Sequence, residues 1–148
     1  MDVEVRPLRR DEVSVASRLV RAGSLSPEGE DERDVASYWR AVEETRRRRG
    51  DVLVAIVDGD VVGICQVNVF PYFQHTGGWC AEIESVHVRS DLRSRGVGGR
   101  LLAAAEALAR REGCYRVQLT SRHVRTDAHR FYAAHGYVAV SQGFKKPL

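Results

Sequence analysis

A short segment that combines arginine and glycine carries the clearest chemical signal in the sequence. Arg93 and Arg95 are followed by Gly96, Gly98 and Gly99, and an apolar stretch with helical spacing begins there. Glycines lack the Cβ atoms that keep a ligand away from the backbone. The first N–H groups of a helix have no internal partner and lie at the positive end of its dipole. Since arginines add charge-assisted contacts, the segment predicts an anion site suited to a diphosphate.

Two common diphosphate-binding loops fit this segment poorly. A Walker P-loop requires Gly-Lys-Ser/Thr, and the turn contains no lysine. A dinucleotide fingerprint places its glycines in the first turn of a parallel βαβ unit, whereas this turn lies late, after an antiparallel-looking hairpin. A glycine-rich loop without a ligand is the remaining alternative.

The apolar pattern predicts the elements that position the turn. A strand at 79–88 leads into it, and a helix at 97–112 leaves it. Asp58-Gly59 is typical of a two-residue hairpin turn. The other predicted strands are 3–7, 51–57, 60–70, 115–120, 137–140 and 142–146. The other predicted helices are 11–22, 32–49 and 126–135. We therefore expect one α/β domain over 1–148 with a mostly antiparallel sheet.

Composition limits the class of protein. The chain has 148 residues, of which 43% are apolar and 29% charged, as in an ordinary globular domain. Its net charge of +3 is too weak to indicate nucleic-acid binding. No stretch has the roughly 18 uninterrupted apolar residues of a membrane span. Three cysteines without C-x-x-C spacing favour reduced thiols. We therefore expect a cytoplasmic protein with no nucleic-acid or membrane partner.

Two motifs together resemble those of the GNAT N-acetyltransferase superfamily. Arg93-x-x-Gly96-x-Gly98 is similar to the family's Gln/Arg-x-x-Gly-x-Gly/Ala motif. The segment from Ala128 to Tyr137 resembles its Ala-x-x-Phe/Leu-Tyr-x-x-x-Gly-Phe/Tyr signature. The resemblance implies a GNAT-like α/β (α+β) fold, in which helices flank a mixed, mostly antiparallel central sheet. It also implies acetyl-CoA as cosubstrate and acetyl transfer to an amine.

The resemblance assigns residues to acetyl-CoA. Backbone amides of the turn would hold the pyrophosphate, and the end of the preceding strand would pair with the pantetheine amides. These cofactor-binding residues are Val86, His87, Val88, Arg93, Ser94, Arg95, Gly96, Val97, Gly98 and Gly99. Arg125 stands where many members carry an asparagine that touches the cofactor, so its contact with CoA stays open.

Three side chains are candidates for catalysis. Tyr132 matches the family tyrosine that lies near the thioester sulfur and protonates the leaving thiolate; packing beside Phe131 is the alternative. Glu82 and Glu84 share one face of a strand, and a carboxylate there would deprotonate the incoming ammonium. We favour Glu84, which matches a glutamate of small-molecule members, over Glu82, which lies where some histone acetyltransferases carry their base. Pairing with surface arginines is the alternative for both.

The acceptor is less defined by the sequence. Residues 28–34 contain five acids and one arginine, which would attract a cationic amine or simply stabilise a helix N-terminus. We expect a small-molecule primary amine, with a protein lysine or N-terminus as the alternative and a non-catalytic acyl-CoA-binding module as a further one. The six-residue spacing of His123, His129 and His135 does not suit a metal site, so we predict none. The oligomeric state stays open, with a homodimer as one option.

Overall fold

The centre of the structure, a computed structural model of residues 1–148, is one five-stranded sheet. Its strands follow the order of the chain, and the first four pair antiparallel, whereas the fifth runs parallel to the fourth. The strands are β1 (Glu4–Pro7), β2 (Asp51–Val57), β3 (Asp60–Pro71), β4 (Trp79–Val88) and β5 (Cys114–Gln118). The predicted mostly antiparallel α/β architecture is therefore confirmed.

The chain divides into two compact units. The first, Met1–Gln118, contains the whole sheet and four helical segments. These segments are α1 (Val13–Gly23), α2 (Val35–Arg47), the single turn α3 (Gln74–Gly77) and α4 (Val97–Arg111). The second unit, Leu119–Leu148, contains α5 (Thr126–Ala134). A single domain over the full chain stays a prediction.

Helices cover both faces of the central strands. Six of the seven residues of β2 are buried, as expected for a strand enclosed on two sides. On one face, Val54 belongs to a core cluster with Val13 of α1 and Val42 of α2. On the other face, Gly63 of β3 makes room for α4, because a Cβ at Gly63 would lie 3.0 Å from Leu101 Cδ1. Two helical layers thereby hold the middle of the sheet rigid.

A bulge interrupts β4 shortly before its end. Gln66 pairs with Glu84 and Ile64 pairs with His87, so two residues of β4 face one of β3, and Ser85 has a positive φ of 53°. Such a bulge bends a strand and changes the direction of its side chains. The β4–β5 ladder also ends early, at Glu82 and Gln118, so residues 83–88 of β4 extend beyond it.

The predicted strands at 137–140 and 142–146 are wrong, because the structure has no strand after β5. Val138, Val140 and Phe144 are 76%, 82% and 91% exposed, so these apolar side chains do not pack against a sheet. A short segment of strand-favouring residues becomes a strand only when a neighbour supplies its hydrogen bonds. Four predicted starts also shift: the strands expected at 3 and 115 begin at Glu4 and Cys114, and the helices expected at 11 and 32 begin at Val13 and Val35.

No helix in the structure combines the length and the apolar character that crossing a membrane requires.

Candidate active site

The turn that joins β4 to α4 is fixed at both ends. The backbone N–H of Arg89 donates to Val62 O at 2.8 Å, which continues the β3–β4 pairing past the end of the strand. Arg93 Nε donates to Val88 O at 3.2 Å, and Leu92 between them is 6% exposed. At the start of α4, Val97 is 1% exposed. The turn is therefore held against the core while its remaining residues face solvent.

The backbone of this turn leaves the start of α4 open to an anion. Ser94 and Gly96 have left-handed φ values of 59° and 88°, and Gly96 is the residue that precedes the helix. No side chain caps the first turn and no acidic residue lies in it. The N–H groups at this helix start thus have neither an intrahelical nor a side-chain acceptor. With exposed Arg93 and Arg95, these N–H groups form a surface suited to an anion such as a diphosphate.

His87 contributes more than its backbone to this region. A Cβ added to Gly23, at the end of α1, would lie 2.2 Å from His87 Nδ1. The imidazole therefore occupies space that any side chain at position 23 would need. His87 thus fixes the distance between α1 and the strand that leads into the turn.

One face of the sheet carries polar residues from three strands, and we call it the polar face. The pairing places Gln66 opposite Glu84, and Asn68 opposite Glu82. On the other side of β4, Glu82 pairs with Gln118, and Cys80 with Arg116. Paired residues project to the same side of a sheet. The polar face therefore comprises Gln66, Asn68, Cys80, Glu82, Glu84, Arg116 and Gln118.

The predicted pair of carboxylates lies on the polar face. Glu82 and Glu84 are both half-buried, and they lie where the β4–β5 ladder ends. Their neighbours on the strand, Ala81 and Ile83, are 0% and 2% exposed and project to the opposite side, where α4 packs. The alternation thus brings the two carboxylates together and keeps both accessible.

Hydrogen bonds define the orientation of Glu82. Gln118 Nε2 donates to Glu82 Oε2 at 2.9 Å. The other end of the same amide, Gln118 Oε1, accepts from Tyr72 Oη at 3.2 Å and from Cys80 Sγ at 3.5 Å. Because donors and acceptors of the amide are both matched, Gln118 has a single satisfied orientation. The Glu82 carboxylate is consequently held on the side that faces β5.

A second set of polar contacts joins the polar face to α2. Gln66 Nε2 donates to Asn68 Oδ1 at 2.9 Å and to Thr45 Oγ1 at 3.3 Å. Thr45 is 8% exposed and donates from Oγ1 to Ala41 O at 2.7 Å. Gln66, which pairs with Glu84, is therefore hydrogen-bonded to α2, the helix that covers this side of the sheet.

Arg116 lies at the end of the polar face that is farther from the β4 bulge. Its guanidinium carbon is 5.4 Å from the centroid of the Tyr72 ring and 5.3 Å from that of Tyr115. A hydrogen bond with the Cys80 thiol is the largest cause that raises the pKa of Arg116. An arginine in contact with two neighbouring aromatic rings has a restricted orientation.

Acidic side chains of segment 28–34 form contacts with residues of the neighbouring helices α1 and α2. Tyr38 Oη donates to Glu30 Oε2 at 2.5 Å, and burial together with this bond raises the pKa of Tyr38 to about 12. Arg18 Nη1 is 3.3 Å from Glu32 Oε2. Asp34 precedes α2 and accepts from the backbone N–H of Ser37 at 3.1 Å. These contacts favour the interpretation in which the acids order this loop and begin a helix.

Tyr132 lies on α5 in the second unit. Its ring centroid is 5.3 Å from that of Phe131 and 6.0 Å from that of Tyr137. The backbone N–H of Tyr137 donates to Tyr132 O at 3.0 Å, so the C-terminal end of α5 turns back on this aromatic cluster. Arg125 precedes the helix without capping it. The acid role of Tyr132 stays a prediction.

Two of the three histidines of the second unit lie beside backbone carbonyls. His129 Nε2 lies 2.8 Å from Arg122 O, and His135 Nδ1 lies 2.8 Å from Phe131 O. No group of three or more His, Cys, Asp or Glu side chains is arranged to hold a metal ion.

Sequence reasoning missed three members of the polar-face network, namely Tyr72, Arg116 and Gln118. Arg116 and Gln118 alternate along β5 as Cys80 and Glu82 do along β4, and that shared alternation was the available signal. The parallel register that pairs them spans more than thirty residues of chain. No local pattern specifies such a register.

Comparison with known proteins identifies a family for the chain. The model of the "Acetyltransferase (GNAT) family" matches residues 17–137. The chain is 35% identical over 95 residues to the aminoalkylphosphonate N-acetyltransferase of Salmonella typhimurium, covering 64% of this chain and 61% of that relative's length. It is 32% identical to the aminoglycoside N(6')-acetyltransferase type 1 of Klebsiella aerogenes over 152 positions, which cover 97% of this chain and 96% of the relative.

A solved structure is similar over almost the whole chain. A protein from Bacillus halodurans C-125, described as a transcriptional regulator, superposes with a TM-score of 0.90 at 30% identity, covering 99% of this chain and 100% of that one. The family match includes the turn before α4, the polar face and α5. The chain therefore belongs to the GNAT acetyltransferase family and is an acetyl-transferring enzyme.

Proposed function

We propose that this enzyme transfers the acetyl group of acetyl-CoA to the primary amine of a small molecule. The observation that carries the proposal is the placement of Glu82 and Glu84. Both lie on an accessible face of β4 where the β4–β5 ladder ends, and the same strand leads directly into the anion-binding turn. The names of the two curated relatives supply further support, since each describes an N-acetyltransferase of a small amine.

The chain's own residues would bind the cosubstrate in two places. The uncapped start of α4, with Arg93 and Arg95, would hold the pyrophosphate. Residues 86–88, which extend beyond the β4–β5 ladder, would pair with the pantetheine amides as an added strand does. When bound, acetyl-CoA supplies an acetyl group activated as a thioester. The proposal places that thioester beside the polar face.

Proton transfer then defines the catalytic roles. Glu84, or Glu82 as the alternative, accepts a proton from the incoming ammonium and so releases the nitrogen lone pair. A nitrogen–carbon bond forms to the acetyl group as the carbon–sulfur bond breaks. Tyr132 gives its hydroxyl proton to the leaving sulfur. The second proton that the nitrogen loses returns to the tyrosinate through solvent, and the glutamate releases its proton to solvent. The net products are the N-acetylated amine, the CoA thiol and one proton.

A thiol-release assay with a panel of acceptors tests this function. The purified chain would be mixed with acetyl-CoA and, separately, with short alkyl amines, an aminoglycoside and lysine-containing or free N-terminal peptides. We expect thiol release with small amines, and mass spectrometry should find one acetyl group on the product. Release with peptides alone would assign the enzyme to protein acetylation. CoA binding without release for any acceptor would support a non-catalytic binding module.

The assay needs a control for the protein's own thiols. Burial raises the pKa of the Cys65 thiol to about 12, and Cys65 and Cys80 are both 0% exposed. Since the thiolate is the reactive form, these two residues should not react with a thiol reagent at neutral pH while the chain is folded. A reaction without acceptor measures the contribution of Cys114.

A further inference from the structure

The charges on the polar face are separated along the strands. Arg116 pairs with Cys80, and two residues further along, Gln118 pairs with Glu82. Two residues of a strand span about 6.6 Å. Arg116 and Cys80 thus form one row across the strands, Gln118 and Glu82 form the next row, and Glu84 lies in the row after that. The polar face therefore carries a cation in the first row and a carboxylate in each of the following two.

The cation in this arrangement is ordered and exposed. The guanidinium of Arg116 lies over the rings of Tyr72 and Tyr115. Its side chain remains exposed to solvent. A guanidinium held in this way offers N–H donors in a fixed fork to an incoming oxyanion.

The same network connects the first two of these rows. Tyr72 donates to Gln118 at 3.2 Å, and Gln118 donates to Glu82 at 2.9 Å, while the Tyr72 ring also contacts Arg116. Arg116 and Glu82 are thereby oriented by one set of side chains. A single small molecule could contact both ends of that set.

We propose that Arg116 forms an anion subsite within the acceptor site, so that the acceptor is an amine that also carries an oxyanion. The inference rests on the proposed function and names its substrate class. The ammonium end would lie toward Glu82, with Glu84 one row beyond it, and a phosphonate, phosphate or carboxylate end would lie toward Arg116. A row spacing of about 6.6 Å suits an acceptor with only a few bonds between the two groups.

A polycationic acceptor fits the same surface less well. A further ammonium group on such a molecule would lie near Arg116, and like charges at short range repel. The acidic segment that could have attracted it is occupied by its own contacts, such as those of Glu30 with Tyr38 and of Glu32 with Arg18. The charge pattern therefore favours a zwitterionic acceptor.

Three acceptors that share an aminoethyl group test the proposal. They are 2-aminoethylphosphonate, β-alanine and propylamine, which carry a phosphonate, a carboxylate and no anion; kanamycin is added as a polycation. We expect kcat/KM to be at least about tenfold higher for an anionic amine than for propylamine, the lower range for a charge-assisted contact. The anionic amine with the higher kcat/KM shows whether the subsite prefers a phosphonate or a carboxylate. Equal values for all three, or a preference for kanamycin, would overturn the proposal.

Variants of Arg116 separate this subsite from general damage. Arg116→Gln should raise KM for the anionic amines about 10- to 100-fold and leave propylamine unchanged, and Arg116→Lys should recover part of the loss. Arg110→Gln is the control, since Arg110 is an exposed arginine near the end of α4. Equal loss of activity on every amine, in a variant whose melting temperature is unchanged, would contradict an anion subsite.

A binding measurement keeps the test independent of turnover. If the wild-type chain releases no thiol with any amine, the proposed function fails, and calorimetry with 2-aminoethylphosphonate in the presence of CoA still tests the subsite. We then expect binding to the wild type and a loss of at least about tenfold in Arg116→Gln. Equal affinity for both proteins, or no binding to either, would overturn the subsite.

Discussion

The side-chain amide of Gln118 donates to the carboxylate of Glu82 across the only parallel strand pair of the sheet, at a distance of 2.9 Å. This bond joins the end of the β4–β5 ladder to a candidate base. The amide oxygen of Gln118 accepts hydrogen bonds from Tyr72 and Cys80, so the amide cannot rotate without losing these bonds. The orientation of Glu82 thus depends on a residue that has no proposed contact with the reacting atoms.

Gln118→Leu should test that dependence. The substitution leaves Glu82 and Tyr72 without this partner, which should lower the free energy of unfolding by about 1–3 kcal/mol. If Glu82 takes part in turnover, kcat/KM should also fall about tenfold or more, because misplacement of a positioned group is costly. Gln74→Leu, at an exposed glutamine on α3, is the control. Reduced stability with an unchanged KM and kcat would limit Gln118 to a structural role.

Gly98→Glu should abolish CoA binding. The substitution places a side chain and a negative charge in the first turn of α4, where the proposed site holds a pyrophosphate. Calorimetry should detect at least about a 100-fold loss of affinity, since both the volume and the charge oppose the ligand. Ala103→Glu adds the same side chain at an exposed position of the same helix and should bind CoA normally. Unchanged CoA affinity in folded Gly98→Glu would place the cosubstrate elsewhere.

Tyr132→Phe should separate catalysis from packing. The ring and its contacts with Phe131 and Tyr137 remain, so the melting temperature should change little. If the hydroxyl protonates the leaving sulfur, kcat should fall by about 10²–10⁴. Tyr137→Phe is the matched control in the same aromatic cluster and should keep its turnover. Full activity of Tyr132→Phe would assign this residue to packing.

The two carboxylates should differ in their effect on the pH profile. Glu84→Gln should lower kcat/KM by about 10²–10⁴ near neutral pH, and part of the activity should return at higher pH, where more of the amine is already deprotonated. Glu82→Gln should have a smaller effect. The pH dependence of kcat/KM, measured for both variants with one good acceptor, decides which glutamate is the base. A larger loss in Glu82→Gln would reverse the ranking, and two wild-type profiles would assign proton removal to solvent.

An ion pair outside the candidate site, between Arg6 and Glu12, predicts that the free energy of unfolding depends on pH. Arg6 Nη2 lies 2.5 Å from Glu12 Oε1, and both side chains are largely buried. The hydrogen bond from Arg6 is the largest cause that lowers the pKa of Glu12 below its ordinary value of 4.5. A depressed folded-state pKa contributes stability above the unfolded value, and that stability is lost as the pH falls through the folded value.

Glu12→Gln should therefore reduce the free energy of unfolding by about 1 kcal/mol near neutral pH, as measured by urea denaturation. The difference from wild type should shrink as the pH falls below 4.5, the ordinary value of the group. Glu43→Gln, at an exposed position of α2, should change stability little at either pH. A difference that persists in acid would mean that the glutamate acts through packing instead of charge.

Local patterns were sufficient for the part of the site that is continuous in sequence. The strand ending at Val88, the turn and α4 follow one another, so apolar spacing and the glycines predicted all three within one residue at each end. Glu82 and Glu84 were placed on one face by alternation alone. Each of these inferences depends on neighbours in the chain, which is where sequence reasoning is strongest.

Non-local pairing explains what could not be predicted. Arg116 and Gln118 join the polar face only because β5 aligns with β4 in one particular register. The segment containing Val138 and Phe144 has residue types that favour a strand, yet it is exposed, because residue type does not specify a partner strand. Residues 28–34 allow two interpretations from charge alone, and contacts such as those of Glu30 with Tyr38 and of Asp34 with Ser37 favour one of them.

The bulge at Ser85 constrains how this sequence can evolve. Before it, the even-numbered Glu82 and Glu84 project to the polar face, and after it the odd-numbered His87 shares the side of Ile64. Deleting one residue here would restore regular alternation and turn either the carboxylates or the cofactor strand to the wrong side. Chain length between Glu84 and His87 should therefore be nearly invariant among functional homologues, even where the identities of the two intervening residues drift.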